Sequence, residues 1–343
     1  MEIVENPWRG QGLPEEVLSG APWPRVDAAA VQGLLARCPA AAETPLVPLA
    51  GLGPDLWVKD ERARMGLGSF KALGAAYVIA CDASATGAQD MARALEGRAY
   101  VTASAGNHGL SVAAGAGVFG ARAVVYLAET VPESFAERLR DKGAEVVREG
   151  ADYAASMAAA EAAAGAGAGT LLSDSSWPGY MDVPHRLMEG YLAMATEIAA
   201  QADAPFDVIA LQAGVGGMAA AVAAHLRAVW GDGPRIVVVE PAFAPALIES
   251  VRAGRPVETE GPVSAMGRLD CKAPSLIALK GLARDADAFV TVTEEEVADV
   301  LPLLAARGLA TTESGAAGVA ALRAMGLGKG KRALAVLSEE AEG

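Results

Sequence analysis

The sequence predicts an α/β fold in two domains, with parallel sheets flanked by helices, and three observations predict it. Short buried-strand patterns alternate with helical patterns from about residue 98 to 172, and the alternation resumes after Pro184. Aromatic residues make up only 5% of the chain, so Ala, Val, Leu and Ile must build the core, as Ala-rich helices packed closely on Val-rich strands. At 343 residues the chain suffices for about two domains of roughly 150 residues each.

In chain order, residues 1–45 carry Pro7, Pro14, Pro22, Pro24, Pro39 and Pro45, a density that interrupts regular structure and predicts an arm over the body. Lys71 opens an apolar helix, ALGAAYVIA. Then follow a strand over Ala99–Thr102, a helix over Gly109–Val118, a strand over Ala121–Leu127 and a charged helix over Pro132–Lys142. A strand over Ala144–Val147, an Ala-rich helix over Tyr153–Ala164 and a strand over Thr170–Leu172 complete the first block, with the Gly-Ala run at 165–169 as a helix-to-strand turn. The second block holds a long helix from Pro184 to Gln201, a strand over Asp207–Leu211, a helix over Met218–Trp230 and a strand over Arg235–Val239. Helices over Glu294–Ala306 and Ser314–Met325 precede a final strand over Ala333–Leu337. Strand–helix–strand alternation implies right-handed crossovers, with a smaller αβ domain, residues 76–180, inserted between 1–75 and 181–343.

Composition narrows the function. Lys plus Arg number 28 against 42 Asp plus Glu, a net charge of -14 that opposes binding to nucleic acid or to anionic membranes. Cys38, Cys81 and Cys271 show no CxxC spacing, so they read as small buried hydrophobes in a reducing compartment and not as a metal site or disulfide framework. The acidic start MEIVENPWRG is unlike a signal peptide, no apolar run approaches ~20 residues, and a cytoplasmic protein is expected.

Three segments could carry chemistry. In Gly66-Leu67-Gly68-Ser69-Phe70-Lys71 a lysine sits at a helix N-terminus, where the dipole opposes a cation. Its small and apolar neighbours are the environment that makes an amine a nucleophile. Ser104-Ala105-Gly106-Asn107-His108-Gly109 leaves a strand and enters a helix, so its amides are free for a carboxylate or phosphate, although Ser104 and Asn107 could simply cap the helix. Gly214-Val215-Gly216-Gly217-Met218 repeats that placement with three glycines, as a phosphate cradle requires and as a tight turn would also allow. Gly115–Gly120 matches GxGxxG, but it ends a helix where a dinucleotide fingerprint would open one. His185 and His225 are isolated and read as structural.

The order of these motifs, closed by Ser338 after the last strand, resembles the fold type II pyridoxal-phosphate enzymes from about Thr44 to Ser338. Within that group VKDE (Val58–Glu61), FKALGA (Phe70–Ala75), GNHG (Gly106–Gly109), Trp177-Pro178-Gly179-Tyr180, Gly190-Tyr191, Gly267–Cys271 and Glu313–Gly318 are similar to the diaminopropionate ammonia-lyase family. Two positions depart from that family: Ala105 replaces an Asp before GNH, and Gly68 replaces an Asn, which brings GSFK and SAGNHG closer to serine and threonine dehydratases. The resemblance implies pyridoxal 5'-phosphate bound through Lys71, with Asn107 beside its 3-oxygen, its phosphate on Gly214, Val215, Gly216, Gly217 and Met218, and Ser338 at the ring nitrogen. It places the substrate on Ser104, Ala105, Gly106, Asn107 and His108. Asp174, just before WPGY, matches an acidic residue of that family and serves as an acid-base or ammonium-orienting group, or else as a helix cap. The activity implied is β-elimination from a small amino acid to a 2-oxo acid and ammonia, in a homodimer. Alternatives are a serine, threonine or 3-hydroxyaspartate dehydratase and, from other classes, a nicotinamide-dependent oxidoreductase or a catalytically silent binding protein.

Overall fold

The computed structural model describes residues 1–52, 55–328 and 330–341. Its strands are β1 (Glu2–Glu5), β2 (Leu46–Pro48), β3 (Asp55–Asp60), β4 (Ala99–Ala103), β5 (Arg122–Leu127), β6 (Glu145–Arg148), β7 (Thr170–Leu171), β8 (Val208–Gln212), β9 (Arg235–Pro241), β10 (Ala288–Val292) and β11 (Arg332–Leu337). They form a seven-stranded sheet in the order β1-β10-β9-β8-β11-β3-β2 and a four-stranded sheet in the order β6-β5-β4-β7. All neighbours are parallel except the two edge strands of the larger sheet, β1 on β10 and β2 on β3.

Parallel strands covered on both faces read as continuous apolar runs. RIVVVEP and RALAVL do so, and their residues alternate between two cores. Ile236, Val238, Leu334 and Val336 face one core, while Val237, Val239, Ala333, Ala335 and Leu337 face the other. Helix Gly217–Trp230 is buried from Gly217 through Leu226, a stretch in which Ala and Gly permit close helix approach.

The predicted strands and helices of both blocks are present, with shifted ends. Several elements differ from expectation. The Pro-rich arm contains β1 and a helix, Ala29–Leu35. The β1 side chains are mostly exposed, so the strand is defined by pairing with β10 and leaves little apolar signal. The arm is further held by the Asn6 amide, which donates to the Ala283 and Ala286 carbonyls at 2.8 and 2.7 Å. His185 and His225 bond the carbonyls of Trp23 and Val26, each at 2.9 Å.

The long helix after Pro184 is two, Asp182–Gly190 and Leu192–Gln201. A Cβ at Gly190 would lie 2.3 Å from the Leu73 carbonyl oxygen, so glycine lets this helix press against the one that begins at Lys71. The helix expected over Glu294–Ala306 is likewise split, into Glu294–Ala298 and Leu301–Ala305. Nor are the cysteines core residues. All three are unpaired and partly exposed, and the Cys271 thiol packs on Gly214 beside the cleft. No helix of the described residues is long and apolar enough to cross a membrane.

Candidate active site

The three motif segments converge at strand ends. Before Lys71, the Asp60 side chain caps the short helical stretch Glu61–Gly66 by accepting from the Arg62 amide. Met65, Gly66 and Gly68 then take φ of 52°, 68° and 76° and reverse the chain. At Gly68 a Cβ would stand 2.3 Å from a Glu340 carboxylate oxygen. Asn and Gly are the residues that most readily occupy this left-handed region, which gives the departure at Gly68 a conformational basis. The turn is stitched to the end of β11: the Phe70 amide donates to the Ser338 carbonyl at 3.1 Å and the Glu340 amide to the Gly68 carbonyl at 2.9 Å. Ser338 is thus buried beside the turn that carries Lys71.

The Lys71 ammonium meets the Asp174 carboxylate at 2.5 Å, with the two side chains 22% and 18% exposed. Burial alone would pull the lysine down, but the Asp174 charge overrides it and the amine is held above its ordinary range. Burial likewise opposes ionisation of Asp174, yet the charges of Lys71 and His108 hold its carboxyl well below the usual carboxylate range. His108 is itself buried, bonds the Leu172 carbonyl at 2.9 Å and is shifted down by desolvation. Cys271 is pushed up to about 12 by burial, reinforced by the Asp174 charge.

In the GNH turn, the Ser104 hydroxyl accepts from the amides of Gly106 and Gly109 at 3.2 and 3.0 Å. The Ser104 amide donates to the Tyr126 carbonyl. Two of the amides expected to receive an anion are therefore engaged within the fold. Asn107 and His108, in the first turn of helix Asn107–Val118, retain amides without intrahelical acceptors. The Ala105 carbonyl accepts from Arg268 Nη1 at 3.0 Å, and Asn107 Nδ2 donates to Glu339 Oε2 at 2.5 Å. Ser111 on the same helix donates to the Lys71 carbonyl and fixes the two helices together.

The glycine loop joins β8 to helix Gly217–Trp230. Gly216 has φ 97°, and a Cβ at Gly214 would lie 2.9 Å from the Cys271 sulfur. Neither position accepts a side chain without displacement. The first-turn amides of this 14-residue helix carry the positive end of its dipole. A Cβ at Gly217 would lie 3.9 Å from the Asp174 carbonyl, so the cradle and Lys71 are separated by little more than Asp174.

The site thus offers anion-binding amides at one end, an amine paired to a carboxylate in the middle, and a buried serine and an asparagine around them. A phosphate-bearing aldehyde fits these donors, with the glycines leaving the room its phosphate needs. Sequence reading missed Arg268 and Glu339. The charged pair Glu339-Glu340 following a buried strand was the available signal for the second.

The profile of the family described as pyridoxal-phosphate dependent enzyme matches residues 38–339. Diaminopropionate ammonia-lyase of Salmonella typhimurium is 31% identical over 83% of this chain and 79% of its own length. L-threonine ammonia-lyase of Thermotoga maritima is 28% identical over 83% of this chain and 67% of its own. The solved structure of diaminopropionate ammonia-lyase from Escherichia coli in complex with D-serine superposes with a TM-score of 0.88 at 25% identity, covering 99% of this chain and 93% of that one.

Proposed function

The chain belongs to the family of pyridoxal-phosphate dependent enzymes, and from that premise we propose that it is a β-eliminating ammonia-lyase acting on a small amino acid such as 2,3-diaminopropionate. The products are a 2-oxo acid and ammonia. The observation that carries this is the Lys71–Asp174 pair at 2.5 Å beside the glycine loop. Bound here, pyridoxal phosphate supplies an electrophilic aldehyde and a conjugated electron sink for charge at the substrate α-carbon.

The protein does the rest. Lys71 would hold the aldehyde and, when free of it, would take the α-proton on its Nζ, with the ionised Asp174 orienting that amine and stabilising the ammonium it becomes. The amides of Gly214 to Met218 hold the phosphate, and those of Asn107 and His108 receive the substrate carboxylate. Asn107 would hold the 3-oxygen. Ser338 would offer the ring nitrogen a neutral hydroxyl, which would not enforce ring protonation as a carboxylate would, and that would favour elimination over transamination. Asp174 also orients a β-ammonium on the substrate. In this reading residues 76–180 form the smaller domain over the cofactor, and the enzyme works as a cytoplasmic homodimer.

A serine, threonine or 3-hydroxyaspartate dehydratase is the alternative, favoured by Ala105 and GSFK. Assaying diaminopropionate, serine, threonine and hydroxyaspartate isomers for ammonia and 2-oxo acid separates the two. Faster release from diaminopropionate than from any hydroxy amino acid is expected, and the reverse order assigns the dehydratase. Borohydride reduction followed by peptide mapping should leave the pyridoxyl group on Lys71. Label on Lys59 or Lys142 would remove Lys71 from its role.

A further inference from the structure

Glu339 is a carboxylate only 4% exposed, one residue beyond Ser338. A charge so buried must be paired or hydrogen-bonded. Its Oε2 accepts from Asn107 Nδ2 at 2.5 Å and lies 3.6 Å from Arg268 Nε, and its Oε1 accepts from the Thr312 hydroxyl. The Thr311 hydroxyl bonds its carbonyl at 2.5 Å, and its backbone bridges to Ser69 in the lysine turn. One wall of the cluster is open: a cavity of about 430 Å³ is lined by Arg268, Thr312, Ser314 and Glu339 among others.

An ionised carboxylate accepts hydrogen bonds and cannot donate them, so the amide facing it must present its NH₂ group. The orientation of Asn107 is thereby fixed, with Oδ1 directed away from Glu339 and the second N–H of the same nitrogen left for another acceptor. We propose that Glu339 is a positioning residue that locks the Asn107 amide so that this second N–H meets the 3-oxygen of pyridoxal phosphate, an inference that rests on Asn107 lining the cofactor site. In this role Glu339 acts through Asn107.

The test is a double-mutant cycle on cofactor binding, independent of turnover. Cofactor-free wild type, Glu339→Gln, Glu339→Ala, Asn107→Ala and the double Ala variant are titrated with pyridoxal phosphate by absorbance, with circular dichroism verifying the fold. Hydrogen bonds to charged groups are strong enough that Glu339→Ala should weaken binding by about tenfold or more. Glu339→Gln keeps an acceptor for Nδ2 and should stay within about threefold of wild type. In the Asn107→Ala background, loss of Glu339 should add nothing. An equal loss in both backgrounds, or none from Glu339→Ala in a folded protein, overturns the role of Glu339. Unchanged binding in Asn107→Ala alone overturns the placement of Asn107, and with it the proposal.

Discussion

Lys59–Glu197 and Lys71–Asp174 are the same pair of charges at nearly the same separation, 2.6 and 2.5 Å, placed in opposite settings. Lys59 is fully buried and also donates to the Thr44 carbonyl and the Gln201 side chain. Around it Arg64 bridges Glu61 and Glu197, at 2.7 and 2.6 Å, and Thr44 bonds Glu61, so the charges and donors are closed on one another. Burial shifts Lys59 down despite these partners, whereas the single carboxylate beside Lys71 shifts it up. A closed network spends every donor on the fold, and its ions are structural. A pair left partly open to a cleft, at a helix start and next to a glycine loop, can exchange its partner for a ligand. The difference is one of saturation and access, since the charges and the separations are nearly the same.

The largest expected effect is on the open pair. Lys71→Ala should lower turnover by about 10⁴, the upper end for a positioned proton-transfer group, because the same side chain also anchors the cofactor. Its folding stability should change by only about 1 kcal/mol, since the pair is partly solvated. Steady-state kinetics with urea unfolding checks both, and retained turnover would erase the distinction.

Arg64→Met should do the opposite. Leaving Glu61 and Glu197 without their guanidinium costs about 3–5 kcal/mol of stability, seen as a lower urea midpoint, while the folded fraction keeps its cofactor absorbance. A neutral Arg64→Met would mean that the closed cluster holds little together.

The smallest effect sharpens the electrostatics. The pair is intact at neutral pH by sign: a depressed Asp174 carboxyl keeps its contribution until pH falls through its folded value, and a raised Lys71 keeps its own until pH rises through its folded value. Asp174→Asn removes the charge that favours the ammonium and leaves burial, which disfavours it. The pH midpoint for capture of pyridoxal phosphate by Lys71 should therefore move down by about one unit or more. A rise on measuring that midpoint by absorbance would show that Asp174 does not set the amine.

Much of this was legible in the chain. The strand runs over Arg235–Val239 and Ala333–Leu337 announce themselves by composition, and the glycine loop announces itself by needing φ that other residues avoid. β1 was not legible, because an edge strand with exposed side chains is defined by the backbone it pairs with. Ser104 and Gly106 looked like free anion donors, although the Ser104 amide is spent on the Tyr126 carbonyl of β5 and the Gly106 amide on the Ser104 hydroxyl.

By itself the sequence determined the α/β class, the lysine turn, the GNH turn and the glycine loop, because each depends on periodicity or on a few neighbouring φ angles. Only the tertiary structure decided that Lys71 meets Asp174, 103 residues away, and that Asn107 meets Glu339, 232 residues away. Parallel strands with crossovers bring their carboxyl ends together whatever lies between them in sequence. A contact of 2.5 Å is then set by sheet register and helix packing, neither of which leaves a local trace in the residues it joins.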